Sequence, residues 1–144
     1  MGIYKFNPFT GNLDIDDSSA ASGTDSNLVE DVPCDSGVAA LDAVYIDSTG
    51  TAQKAIATSV ATSKVCGLVE TKPTSTTCNI RTHGATSAIF SSLDEESTYF
   101  LSRSVAGGMQ TTIPDTAGDV VVKISFPISS TRHNVQIKGL LIRS

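Results

Sequence analysis

Tryptophan is absent from this 144-residue chain, and aromatic residues of any kind make up only 6% of it. A glycan-binding tip needs an aromatic platform for sugar rings, so that role is disfavoured. Charge is also sparse, at 17%, with 15 acids against 10 bases and a net charge of −5. Binding a phosphate backbone calls for a basic patch. None stands out, and no nucleic-acid partner is expected. Cysteines number three, at positions 34, 66 and 78. An odd, sparse set points to folding in a reducing compartment rather than to a disulfide scaffold, with one disulfide among the three left open. Apolar runs stop after a few residues, as at Val120-Val121-Val122. A membrane span needs about 20, so no membrane partner is expected. The opening MGIYKFNPFTG has no apolar stretch or small-residue cleavage site and is not expected to be a signal peptide. Gly2 invites comparison with a myristoylation start, but Phe6 stands where that pattern wants Ser or Thr.

Catalytic signatures are missing too. There is no GxSxG, no P-loop and no HExxH. The two histidines, His83 and His133, are expected at the surface or at strand ends. Cys78 precedes His83 by five residues, with no second Cys or His pair at ligand spacing. Cys66 and Cys78 read as small buried hydrophobes. Asp94-Glu95-Glu96 reads as a solvated turn. Asp14, Asp16 and Asp17 imitate the start of an EF-hand loop, but the required Gly and distal Glu are missing. Gly107-Gly108 is a turn and not a phosphate cradle, because no helix follows it. Serine is plentiful, yet nothing marks a base-activated one. The expectation is a protein that is not an enzyme and carries no cofactor or metal.

What is present is enough chain for one domain with its own core. Val, Ile and Thr are frequent from Val32 onward, and β-branched residues favour strands. Val44-Tyr45-Ile46, the turn Asp47 to Gly50 and Thr51 to Lys54 make a hairpin. Strands follow over Val65 to Glu70 and Thr77 to Thr82, with a short one over Ser87 to Phe90. Tyr99 to Ser102 and Met109 to Ile113 form a second hairpin, and Val120 to Phe126, Asn134 to Ile137 and Leu140 to Ile142 complete the set. The one helix candidate, Ala55 to Ser63, is weakened by its Ser and Thr content. The fold class expected is all-β, a small β-barrel or sandwich.

The β region also reads as two copies offset by 55 residues, about 36–84 and 91–139. Asn79 and Gly84 recur as Asn134 and Gly139, and Ser75-Thr76 as Ser130-Thr131. Val44-Tyr45-Ile46 falls on Tyr99-Phe100-Leu101. One such half is too little sheet to bury a face alone. Two halves pairing about a pseudo-twofold axis would close their edges into a barrel.

Residues 1–31 form a separate region, an extended N-terminal arm and acidic linker ahead of a β domain over 32–144. Residues 1–35 hold seven acids and one base, Lys5, whereas the remainder is nearly neutral. Asp16 to Asn27, DDSSAASGTDSN, is small, polar and without hydrophobic period, as a linker is. Ahead of it, Tyr4, Phe6 and Phe9 put three aromatics into six residues. Either this segment folds back as an edge strand of its own domain, or it is an arm that docks on another subunit or protein. Tyr4, Phe6 and Phe9 are the candidate partner-binding residues.

The segment FNPFTGNLD (Phe6 to Asp14) resembles the opening of small tailed-bacteriophage virion proteins. VPCDSGVAALDAVYIDSTGTAQKA (Val32 to Ala55) and VCGLVETKPTSTTCNIRTHG (Val65 to Gly84) are similar to their β domain. So are YFLS with GGMQTTIP and GDVVVKISFPIS, between Tyr99 and Ser129. The pattern of a D-x-V-Y strand, a glycine turn, a GxVE strand and a YFLS…GG hairpin resembles capsid decoration proteins and head or tail fibre modules, and covers most of the chain. Ile124-Ser125-Phe126 departs from it where such domains often carry a glycine. The resemblance implies a virion structural protein assembled in the bacterial host cytoplasm. It would be a capsid decoration or cement protein, or alternatively a fibre, spike or tail-adaptor module held by the same arm. It further implies a homo-oligomer, with a trimer favoured, and the major capsid protein or other virion proteins as partners. It carries over no catalytic residue.

Overall fold

The computed structural model describes residues 3–7, 12–16 and 27–144. Among the described residues there is no helix, and hence none long and apolar enough to cross a membrane. The described residues form twelve strands in chain order: β1 (Ile3–Asn7), β2 (Asn12–Asp16), β3 (Leu28–Pro33), β4 (Ala43–Ile46), β5 (Ala52–Lys54), β6 (Gly67–Thr74), β7 (Thr77–Arg81), β8 (Gly84–Ala85), β9 (Tyr99–Leu101), β10 (Met109–Gln110), β11 (Val120–Ser129) and β12 (Arg132–Ile142). β1 and β2 pair only with each other. The rest make two five-stranded antiparallel sheets, ordered β3-β7-β6-β4-β5 and β10-β9-β11-β12-β8. Neither closes on itself, so the expected all-β fold is a sandwich-like one and not a barrel.

The two sheets share a strand order. Each has a hairpin at one edge, two long central strands and a strand from the start of its segment at the other edge. The 55-residue offset places β4 on β9, β6 on β11, β7 on β12 and β3 on β8. The boundary read between residues 31 and 32 falls inside β3, whose first residues already pair with β7.

Burial follows the period of two. Along β11, Val120, Val122 and Ile124 are buried, while Val121 and Lys123 between them are half-buried. They meet Leu101, Val135, Phe90, Ala43 and Leu68 in the main core, between the sheets. On the other face of the first sheet lies a smaller core of Cys34, Val38, Val44, Ala52, Val69, Cys78 and Ile80. Neighbours such as Val44 after Ala43, and Val69 after Leu68, therefore serve different cores.

Residues 55–63 are turns and not a helix. The reason is tertiary. The Ala55 N–H donates to the Ala43 carbonyl and the Ala57 N–H to the Ser102 carbonyl, while Gly107 N–H donates to Ala55 and Ala43 N–H to Gly107. These backbone groups link the two sheets and are not free for a helical ladder. β6 also runs further than the sequence suggests, through Pro73 to Thr74. Its register with β7 shifts between Thr71 and Thr74, so Pro73 sits where the regular ladder is broken. Ser87 to Phe90 is not a strand, although Phe90 is buried in the main core. The last two expected strands are one, β12, with Gly139 at φ +69° inside it.

Candidate functional site

The N-terminal segment is a hairpin, which the sequence reading did not foresee. Its register sets Tyr4 opposite Ile15 and Phe6 opposite Leu13; Ile3 pairs with Asp16, Lys5 with Asp14 and Asn7 with Asn12. Alternate residues of a strand share a face. The Tyr4/Ile15 and Phe6/Leu13 pairs therefore fall on one face, all apolar, and the other three pairs on the opposite face. Phe9 and the linker core at 17–26 lie outside the described residues.

The second feature is an apolar groove on the first sheet. It encloses about 290 Å³ and is lined by Val29, Val32, Ile46, Cys66 and Ile80, with Gly50 and Thr82. Val32, Cys66 and Ile80 belong to or pack on the smaller core, so the groove is where that core opens to solvent. Val29 and Ile46 are 45% and 43% exposed. A bulge makes the lining. Val29 pairs with Ile80 and Val32 with Cys78, so three steps along β3 match two along β7. Without the extra residue Val29 and Val32 would face opposite ways. Asp31 carries the bulge at φ +54°, and its N–H donates to Asn79 Oδ1 at 3.0 Å.

Beside the groove a turn is tied to one carboxylate. Asp47 accepts from the Thr49 hydroxyl (2.6 Å), the Thr49 and Thr51 N–H groups, and Gln53 Nε2 (3.0 Å). The Thr49 hydroxyl, then Gln53 and Thr51, hold its carboxyl well below the usual carboxylate range. Gly50 closes this turn at φ +82°. A second cleft, about 420 Å³, lies against Ser63, Lys64, Val65, Val122, Ile137 and Gly139.

The two histidines occupy different environments. His83 is exposed, as expected. His133 is the second residue of β12, at a strand end as one of the two expected placements had it, but it is fully buried and not at the surface. Its Nδ1 shares a hydrogen bond with Ser125 Oγ at 2.9 Å, and its Nε2 has no hydrogen-bond partner among the described residues. Phe90 and Tyr99 meet the imidazole at near-perpendicular angles, 4.5 and 4.8 Å between ring centres. Burial lowers its pKa to about 4, so the ring is neutral. The pair has the distance of a nucleophile and its base, but both residues are wholly buried, and no substrate reaches Ser125 Oγ with the core closed. Sequence reasoning missed this contact because a β-bulge between Lys123 and Ser125 turns Ser125 inward beside Ile124.

Cys34 and Cys78 are buried, Cys66 is half-buried, and all three are free thiols. Burial, reinforced by contact with Cys34, pushes the Cys78 thiol up to about 12, and burial raises Cys66 as well. The Cys78 thiol stays protonated and unreactive while buried. No group of three or more His, Cys, Asp or Glu suited to a metal ion occurs among the described residues. Asp94 accepts from Ser97 Oγ (2.6 Å) and the Glu96 N–H, which lower its pKa and close the exposed turn read from the sequence. Comparison with family models, curated proteins and solved structures finds no match.

Proposed function

We propose that the chain is a structural protein of a tailed-phage virion, a capsid decoration protein that docks through its N-terminal hairpin and acts without catalysis. The observation that carries this reading is the register of β1 and β2. It collects Tyr4, Phe6, Leu13 and Ile15 on one face of a hairpin joined to a sandwich by a polar, acidic linker. An isolated two-stranded hairpin is at best marginally stable in water, so that face calls for a partner surface. The sequence resemblance makes that surface a neighbouring virion protein, with the sandwich sitting over a junction between capsid subunits. Burial contributes roughly 1.5–3 kcal/mol per large apolar side chain, and ordering the hairpin offsets part of it. Many symmetric copies multiply a modest local gain. Closed symmetry favours self-association, with a trimer the expected form.

The test is mass determination of the full chain, alone and with purified shells assembled from tailed-phage major capsid proteins. Decoration gives a small oligomer that binds shells in hundreds of copies, and Tyr4→Ser with Phe6→Ser abolishes binding while the sandwich stays folded. Binding at a vertex or tail in a few copies would favour a fibre or tail adaptor. A chain indifferent to every virion part would defeat the proposal.

A further inference from the structure

Two apolar faces lie close together along the chain. One is the Tyr4/Ile15, Phe6/Leu13 face of the hairpin. The other is the groove of Val29, Val32, Ile46, Cys66 and Ile80. Their connection is short. β2 ends at Asp16, and the groove's first lining residue is Val29, in the strand to which the linker leads. Residues 17–26 span about 35 Å at full extension, at roughly 3.3–3.6 Å per residue. That is ample for the hairpin to turn back over the sheet from which it departs. A connection of this length holds the hairpin at an effective concentration in the millimolar range.

We infer that in the free chain the hairpin of residues 3–16 seats its Tyr4/Phe6 face in the Val29–Ile46–Ile80 groove of the same molecule. Three features fit this occupant. Both surfaces are apolar, so burial drives the contact without specific polar partners. The charged residues of the hairpin, Lys5, Asp14 and Asp16, belong to the pairs on its opposite face. The bulge at Asp31 keeps Val29 on the groove side of β3 next to the tether. The contact belongs to the free chain and stands or falls separately from shell docking. A virion protein that used its hairpin on a shell would first lift it from this seat.

The groove carries its own reporter. Cys66 lines it and is half-buried, whereas Cys34 and Cys78 are 4% and 0% exposed. Alkylation by N-ethylmaleimide in the native full chain therefore reads the groove at Cys66 and global opening at the other two. A seat occupied nine-tenths of the time slows Cys66 labelling by about ten-fold. The Phe6→Ser, Leu13→Ser double variant should restore fast labelling of Cys66 with Cys34 and Cys78 still protected. Labelling of all three together would mean that the variant has unfolded. A Phe6→Leu, Leu13→Ala variant, milder in its loss of apolar surface, then replaces it and should give an intermediate rate. Protection of Cys66 must also be independent of protein concentration. Protection that grows with concentration would assign the groove to the hairpin of a second copy and overturn the proposal. Equal Cys66 rates in the native chain and the folded variant would overturn it as well.

Discussion

At the scale of single residues, His133 is the most consequential side chain in the main core. It is neutral because burial disfavours its charged form, with a pKa lowered to about 4. An unfolded chain returns it to an ordinary value near 6.5. The folded pKa is thus the lower one, and the stability linked to it is fully present above pH 6.5. It is lost as pH falls from there toward 4, because the unfolded chain takes up the proton first. Urea unfolding at a series of pH values should show the midpoint falling through this window. In His133→Gln the fall should be much reduced, with a lower midpoint at neutral pH because the contacts to Phe90 and Tyr99 are lost. The carboxylates with lowered pKa, Asp47 and Asp94, begin to act only below about pH 5, so the upper part of the His133 window is free of them.

At the scale of elements, pairing of β6 with β7 depends on Gly67. A Cβ there would collide with the Arg81 carbonyl and would lie 2.6 Å from Ile80 Cγ2. Gly67→Ala should cost about 1–3 kcal/mol, as overpacking in a tight site does, measured by denaturant midpoint at constant slope. Because Ile80 lines the groove, the same change should alter Cys66 labelling. Elements of this kind are only partly legible in the sequence. The β class was readable because β-branched runs and glycine turns are local signals, and both hairpins, β4–β5 and β9–β10, lie where those signals put them. The turns at 55–63 were not readable, because their backbone groups bond to Ala43, Ser102 and Gly107, distant in the chain. The groove was hidden for a similar reason. Its lining comes from β3, β4, β7 and the residue before β6, and a bulge reverses the expected parity of Val29 and Val32. The aromatic residues of the arm were visible as candidates, but the cross-strand register that gathers Tyr4, Phe6, Leu13 and Ile15 was not.

At the scale of the whole molecule, a buried ion pair fastens the first sheet to the loop that follows β8 of the second. Glu70 accepts from Arg81 Nε at 2.9 Å, and from the Ser87 N–H and hydroxyl at 3.1 and 3.3 Å. Glu70 and Arg81 are only 5% and 8% exposed. Replacing such a pair with apolar residues is often neutral, whereas removing one partner leaves a buried charge. Glu70→Ala removes the acceptor of the Arg81 and Ser87 bonds and should destabilise by about 1–3 kcal/mol. Unfolding followed through Tyr99 fluorescence, in a Tyr4→Phe, Tyr45→Phe background that leaves it the sole tyrosine, and through Cys34 labelling should stay coincident, since backbone bonds at Ala43, Ala55 and Gly107 also join the sheets. Separate transitions would mean that the halves unfold independently.

The place of β3 in its sheet also imposes a schedule. β3 is the first strand of the first sheet to leave the ribosome, yet its only sheet neighbour is β7, the last of the five to be made. At roughly 5–20 residues per second, Val29 and Val32 wait a few seconds for Ile80 and Cys78. During that interval the growing chain exposes a strand with no template, next to an aromatic leader. The charges at Glu30 and Asp31 sit in the middle of that strand, where they oppose premature pairing with other nascent chains.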